Sequence, residues 1–363
     1  MRPESPISHL VRNDLLAFQG YQSAHATNLD GHIWLHANES AYPNLIDPAG
    51  TTRRYPHPQP PSLVQSLARL YGCQTDQLVI GRGSDECIDL LIRSVCTPDA
   101  DAIIVTPPVF GMYAVAARMH RAAVVEVPLR DGSATFGVDP VAIVGAARAH
   151  ATKLIFLCSP SNPTGATIAS ETIQWIAQQV EDRAVVVVDE AYIEFSDQPS
   201  SVALVGGQPN LVVLRTLSKA HALAGARIGC CIAHPDLIAL LRCCQAPYPV
   251  PTPVCAMVEA ALVPAVLRQT QERIRLIIAE RGRLLAALSA MACVRCVYRS
   301  DGNFLLARFY QAQRVFARLL AHGVVVRDQR HAPQLADALR ITIGTHAQQT
   351  ALLAALETLA GAS

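Results

Sequence analysis

The chain has 363 residues, 51% of them hydrophobic, and 30 Lys and Arg stand against 29 Asp and Glu for a formal net charge of +1. That composition excludes a disordered chain, and its scattered basic residues lack the electrostatic footprint of a nucleic-acid binder. The strongest apolar run, Ala184 to Val188, stops at Asp189, far short of the roughly 18 residues a membrane span needs. The N-terminal MRPESPISHLVRND has charges and prolines where a secretory signal needs an apolar stretch, so a cytoplasmic protein is expected.

At about 150 residues per domain the length predicts two domains. Residues 1–35 are rich in turn formers and read as an N-terminal arm rather than a core element. From Ser62 a helix is expected, with Leu63, Val64, Leu67, Ala68 and Tyr71 on one face, Ser62 as N-cap and Gly72 as terminator. Short continuous apolar runs follow at Leu78–Ile80, Ala102–Val105, Ala123–Val125, Leu154–Leu157, Ala184–Val188, Leu211–Leu214 and Ile228–Ile232, most of them separated by helical-period segments. Unbroken apolar strands suit a sheet covered on both faces, so residues 36–250 predict a large α/β domain with a mostly parallel seven-stranded sheet. Pro247, Pro249, Pro251 and Pro253 forbid regular structure and mark the expected boundary. Residues 251–363 then predict a smaller α+β domain. It has a helical stretch from about Val254 towards Ala290, interrupted by Pro264 and Gly282, and strands around Val294, Phe304, Val325 and Leu339–Ile343. A last helix runs from Thr345 or His346 to about Leu359.

Eleven cysteines, several in apolar segments such as Cys230-Cys231, read as reduced, buried thiols. Cys293 and Cys296 have CxxC spacing but no second pair or histidine cluster, so no metal site is expected.

In open α/β sheets ligands bind beyond the carboxyl ends of the strands, and the loops there are unusual. Gly81-Arg82-Gly83-Ser84-Asp85-Glu86 leads into a helix that Ser84 or Asp85 would cap, leaving free N–H groups for a phosphate. Ser159-Pro160-Ser161-Asn162-Pro163 follows one strand and Asp189-Glu190-Ala191-Tyr192 another. Arg215-Thr216-Leu217-Ser218-Lys219 follows a third, and Arg227 comes a few small residues later.

Together these stretches resemble the fold-type I aminotransferases that use pyridoxal 5′-phosphate, and among them the histidinol-phosphate aminotransferases. The resemblance covers nearly the whole chain. It is carried in order by Tyr21-Gln22-Ser23-Ala24, Asn38-Glu39, Arg54-Tyr55-Pro56 with Gln59-Pro60, and Pro107-Pro108 with Gly111-Met112-Tyr113. The Asn162 loop, Asp189 to Phe195, the Lys219 segment, Arg327-Asp328-Gln329 and Leu339-Arg340-Ile341-Thr342 complete it. It implies that Lys219 forms the Schiff base with the cofactor and then moves the substrate proton. Asp189 is implied to keep the ring nitrogen protonated. Tyr192 and Asn162 are expected on the cofactor's 3′-oxygen and Phe110 against the ring face. The backbone of Ser84 and Asp85, the hydroxyls of Thr216 and Ser218, and Arg227 are expected on its phosphate.

The resemblance further implies a homodimer with shared active sites, in which the arm packs with the small domain and the partner subunit. Tyr55 and Tyr21 are each expected to reach the partner's site, Tyr21 as a phosphate contact. Arg340 is expected to grip the α-carboxylate and Arg327 the distal anion, whether the phosphate of histidinol phosphate or the γ-carboxylate of glutamate. The reaction implied converts imidazole acetol phosphate and L-glutamate to L-histidinol phosphate and 2-oxoglutarate. An aromatic amino acid aminotransferase or a phosphoamino-acid decarboxylase of the same fold is the alternative. Three positions depart from the family pattern: Phe110 replaces a frequent tyrosine, His25 stands where arginine is expected, and His221 replaces a frequent phenylalanine. His221 reads as a packed histidine.

Overall fold

The seven apolar runs are the seven strands of one sheet. A computed structural model describes residues 5–21, 32–132 and 134–357. Gln22, Ser23, Ala24, His25 and the expected end of the last helix lie outside the described residues. In chain order the strands are β1 (Leu78–Arg82), β2 (Ala102–Val105), β3 (Ala123–Glu126), β4 (Arg130–Asp131), β5 (Phe136–Gly137), β6 (Thr152–Cys158) and β7 (Val185–Asp189). They continue with β8 (Leu211–Thr216), β9 (Ile228–Ile232), β10 (Val294–Val297), β11 (Phe304–Phe309), β12 (Arg327–Asp328) and β13 (Ala338–Thr342). The helices are α1 (Pro61–Tyr71), α2 (Ser84–Val95), α3 (Met112–Met119), α4 (Pro140–Ala149) and α5 (Ser170–Gln179). After them come α6 (Pro235–Cys244), α7 (Thr252–Ala261), α8 (Pro264–Ser289), α9 (Ala312–Ala321) and α10 (His346–Glu357).

The large sheet has the order β1-β9-β8-β7-β6-β2-β3. Its pairings are parallel except the two made by β9. Alternate residues of each strand feed opposite cores: Val186 and Val188 of β7 pack on one face with Ile155 and Leu157 of β6, while Val185 and Val187 pack on the other with Leu154 and Phe156. Both faces are dry because helices cover both, so the strands read as continuous apolar runs. Each such fully buried side chain contributes about 1.5–3 kcal/mol.

The arm is not separate from this core, since Ile7, Leu10 and Val11 are buried in it. Helix α1 starts at Pro61, whose missing N–H costs nothing in a first turn. Ser62 is therefore inside the helix rather than its cap, and its hydroxyl donates to Glu259 Oε1 at 2.5 Å. Gly72 does end the helix, at φ 72°. Helix α7 still packs Cys255 and Val258 into the core that contains β7 and β8.

Pro264 separates α7 from α8 by occupying the latter's first turn. Gly282, expected as an interruption, lies within the unbroken 26-residue α8; a glycine costs only about 1 kcal/mol there, too little to end a packed helix. The smaller sheet, β10-β11-β13-β12, is antiparallel throughout and buries Leu305, Ala307, Leu339 and Ile341 with Leu284 of α8. The strand expected around Val325 is instead Arg327–Asp328. The hairpin β4–β5 was not legible as a motif; Phe136 and Leu129 pack against Tyr298 and Leu306 of the small sheet's region.

One buried charge cluster ties the sheet to α1. Arg215 of β8 lies 2.7 Å from Glu194 and 3.6 Å from Glu190, with its guanidinium carbon 4.5 Å from the Tyr71 ring centroid. Removing the cation leaves Glu190 buried without its counter-charge. Arg215→Ala is therefore expected to lose about 3–5 kcal/mol of stability, measured by urea unfolding.

Candidate active site

Because β9 runs antiparallel to both neighbours, its amino end meets the carboxyl ends of β1 and β8 along one edge of the sheet. The loops there enclose a cavity of about 590 Å³. Ser84, Asp85, Phe110, Asn162, Asp189, Tyr192, Thr216, Ser218, Lys219, Arg227, Arg327 and Arg340 all line it, as does Cys158. Most of the expected residues thus converge from seven chain segments onto one space.

One end of the cavity is built for an anion. Helix α2 is capped by Gly83 (φ 80°), not by Ser84 or Asp85, which occupy its first turn with their N–H groups free of helical acceptors. Arg227, at φ 56° and ψ 49°, turns back against this terminus, its Nη2 3.0 Å from Asp85 Oδ2. A Cβ on Gly83 would meet Arg227 Nη2 at 2.5 Å, and one on Gly229 would meet the Ser84 nitrogen at 2.3 Å. Thr216 Oγ1 donates to Ser218 Oγ at 3.0 Å and accepts the Ser218 N–H at 3.1 Å, fixing both hydroxyls beside α2.

Asp189 ends β7 with 3% of its surface exposed. Burial raises its carboxyl above the usual range, opposed first by the Tyr113 hydroxyl, which donates to Oδ2 at 2.6 Å, and then by the Ala191 N–H. Lys219 lies opposite, its Nζ 5.5 Å from the centre of the Tyr192 ring. Partial burial, then the charge of Arg340, lowers its amine below the ordinary lysine value, so neutral base is available at a lower pH. Burial also raises the Tyr192 phenol and pushes the Cys158 thiol up to about 12, which keeps both protonated near neutrality.

Arg327 and Arg340 are directly opposite in the β12–β13 ladder. Like charges so placed repel. Arg340 donates through Nη1 to Asn162 Oδ1 and lies 5.4 Å over the Phe304 ring, but its buried Nε has no partner among the described residues. Burial, and after it the nearby Arg327, lowers its pKa. No carboxylate pairs with either guanidinium among the described residues. An anion entering the cavity relieves both conditions.

Tyr21 and Tyr55 do not line this cavity. Tyr55 is half exposed and stacks on Tyr248 at 4.7 Å, while Tyr21 is 71% exposed. His221 faces a different cavity, beside Glu194 and Arg215, where burial lowers its pKa. In the sequence Tyr113 stands out only as part of the stretch Gly111-Met112-Tyr113. Its burial against Asp189 depends on α3 packing so that the ring stacks on Phe156 of β6, and no local signal carries that.

The model of the aminotransferases of class I and II matches residues 25–356. The chain belongs to that family. This aminotransferase is 59% identical over 353 residues to the histidinol-phosphate aminotransferase of Xanthomonas euvesicatoria pv. vesicatoria, with 97% of each chain covered. It is 56% identical to the enzyme of the same name from Stenotrophomonas maltophilia, over 96% of this chain and 95% of the other. Among solved structures it is similar to the histidinol-phosphate aminotransferase of Sinorhizobium meliloti in complex with pyridoxal 5′-phosphate. There the TM-score is 0.77 at 26% identity, with 90% of each chain covered. In this aminotransferase Gly83→Ala should strain the positive φ and displace Arg227 from α2. Affinity for pyridoxal 5′-phosphate is expected to fall roughly tenfold or more, measured by titrating the apoprotein with the cofactor.

Proposed function

We propose that this aminotransferase interconverts imidazole acetol phosphate and L-glutamate with L-histidinol phosphate and 2-oxoglutarate, the amino-transfer step of histidine biosynthesis, using pyridoxal 5′-phosphate. The arginine pair carries the substrate reading. Glutamate bears a carboxylate on its amino-bearing carbon and a second one at the far end, whereas histidinol phosphate bears its phosphate one carbon away from that centre. Arg340, whose buried Nε is unpartnered, would take the α-carboxylate of glutamate and Arg327 the γ-carboxylate; because histidinol phosphate has no α-carboxylate, its phosphate would lie against Arg340 as well as Arg327, where Arg327 alone was expected.

The residues fit the cofactor. The N–H groups of Ser84 and Asp85, the Thr216 and Ser218 hydroxyls and Arg227 suit a dianionic phosphate, and the missing Cβ atoms of Gly83 and Gly229 leave room for this terminus to close. Asp189 would meet the ring nitrogen, Tyr192 and Asn162 the 3′-oxygen, and Phe110 the ring face. Bound there, the cofactor supplies an electron sink for the carbon that loses a proton. Lys219 Nζ would be the attachment point and, once displaced, the base that takes the proton from the substrate's α-carbon and delivers it to the cofactor's C4′. Arg340 orients that carbon by fixing the anion beside it. Lys219→Ala is expected to lose the absorbance of the lysine-bound cofactor and to lower turnover of histidinol phosphate with 2-oxoglutarate by at least about a thousandfold. Spectroscopy and a coupled assay check this, and faster turnover of phenylalanine, or release of carbon dioxide from a phosphoamino acid, would overturn the substrate assignment.

The same reading makes the enzyme a homodimer. Ile33, Leu35, Tyr42, Leu45 and Ile46 are more than four-fifths exposed along one irregular segment, an apolar surface that a second copy would cover. Tyr55 follows that segment and lines a surface cavity with Glu39 and Arg54, outside its own chain's active-site cavity, and would reach the partner's site. Two inactive variants, Lys219→Ala and Tyr55→Ala, are therefore expected to regain activity when mixed and reassociated. The hybrid contains one site with both residues intact, and its activity is read after unfolding and refolding the mixture.

A further inference from the structure

Tyr113 has a position that packing alone does not explain. Its side chain is wholly buried, with the ring stacked on Phe156 of β6 at 4.6 Å and 12° and edge-on to Phe110 at 5.6 Å. This three-ring packing brings the hydroxyl to Asp189 Oδ2, at 2.6 Å, with the Cys158 thiol also within its reach. That length is typical of a hydroxyl donating to an ionised carboxylate. The Ala191 N–H holds the other oxygen at 3.1 Å.

We propose that Tyr113 is a positioning residue that acts through Asp189, setting how strongly this carboxylate competes for the proton it shares with the cofactor's ring nitrogen. The inference rests on the placement of Asp189 beside the ring proposed above. The titratable groups that act on Asp189 among the described residues are Tyr113 from α3, Cys158 from β6, Asp85 and Cys87 from α2, Tyr192 from the loop after β7 and Lys219 from the loop after β8. Burial keeps the two thiols and both phenols neutral near pH 7, so they add no charge there. Asp85 raises the Asp189 pKa and Lys219 lowers it. The Tyr113 hydrogen bond is the largest influence opposing burial. Without it Asp189 binds a proton more tightly, the ring nitrogen keeps its proton less of the time, and the ring withdraws fewer electrons.

The test uses Tyr113→Phe in the full-length enzyme loaded with ¹⁵N-labelled pyridoxal 5′-phosphate. The ring-nitrogen resonance is expected to move towards that of neutral pyridine. The pH midpoint of the lysine-bound cofactor's absorbance should rise by on the order of half to one unit, because a less electron-poor ring lets the attached nitrogen hold its proton to higher pH. Turnover should fall about five- to tenfold while KM changes by less than about twofold. A fluorinated tyrosine at position 113, a stronger donor of the same shape, should move both spectroscopic readouts the opposite way, and it decides the matter if the phenylalanine variant does not hold cofactor. A loaded variant with unchanged resonance and midpoint overturns the inference. A wild-type ring nitrogen unaffected by Asp189→Asn would instead overturn the underlying placement of Asp189.

Discussion

A carboxylate at the dry end of a strand is the constraint around which this site is organised. Four consecutive valines lead β7 into the core, and Asp189 ends it while still almost wholly out of water. Burial disfavours its charge, and the protein answers with two hydrogen bonds, one from a backbone amide and one from a tyrosine that the rings of Phe110 and Phe156 hold in place. Such an arrangement costs stability when only folding is considered. It makes sense beside a ligand that brings positive charge to the same place.

The rest of the cavity has the opposite character. Lys219, Arg227, Arg327 and Arg340 line it against Asp85 and Asp189, although the whole chain carries a formal charge of only +1. A few placed cations, two of them opposite one another in a single ladder, create a field that bulk charge does not reveal. Lys219 lines the same cavity, and its amine is held below the ordinary range by burial and by Arg340, which is the condition a lysine base needs.

Two sheets share the work. The large sheet supplies the helix terminus, the lysine and Asp189 from the carboxyl ends of its strands, while the small sheet supplies both arginines. Asn162 joins them by accepting from Arg340, which ties the loop after β6 to the small sheet. The hairpin β4–β5 adds a second tie, with Asp131 bonded to Arg308 and Tyr298 of the small sheet's region.

The sheet was legible in the sequence because burial on both faces leaves unbroken apolar runs, and the loop residues stood out because polar groups gather where those runs end. Pattern was weaker where one residue type has two uses. Gly282 passes unnoticed inside a helix, Pro61 starts one that Ser62 was expected to cap, and the valines 324–326 only precede a strand. By itself the sequence determined the family, the seven strands of the large sheet and most of the polar residues that line the cavity, since these depend on local order along the chain. Tertiary structure alone decided that Tyr113 reaches Asp189 and that Arg327 lies opposite Arg340. Those are contacts between segments far apart in the sequence, set by how helices and strands cross rather than by any local pattern.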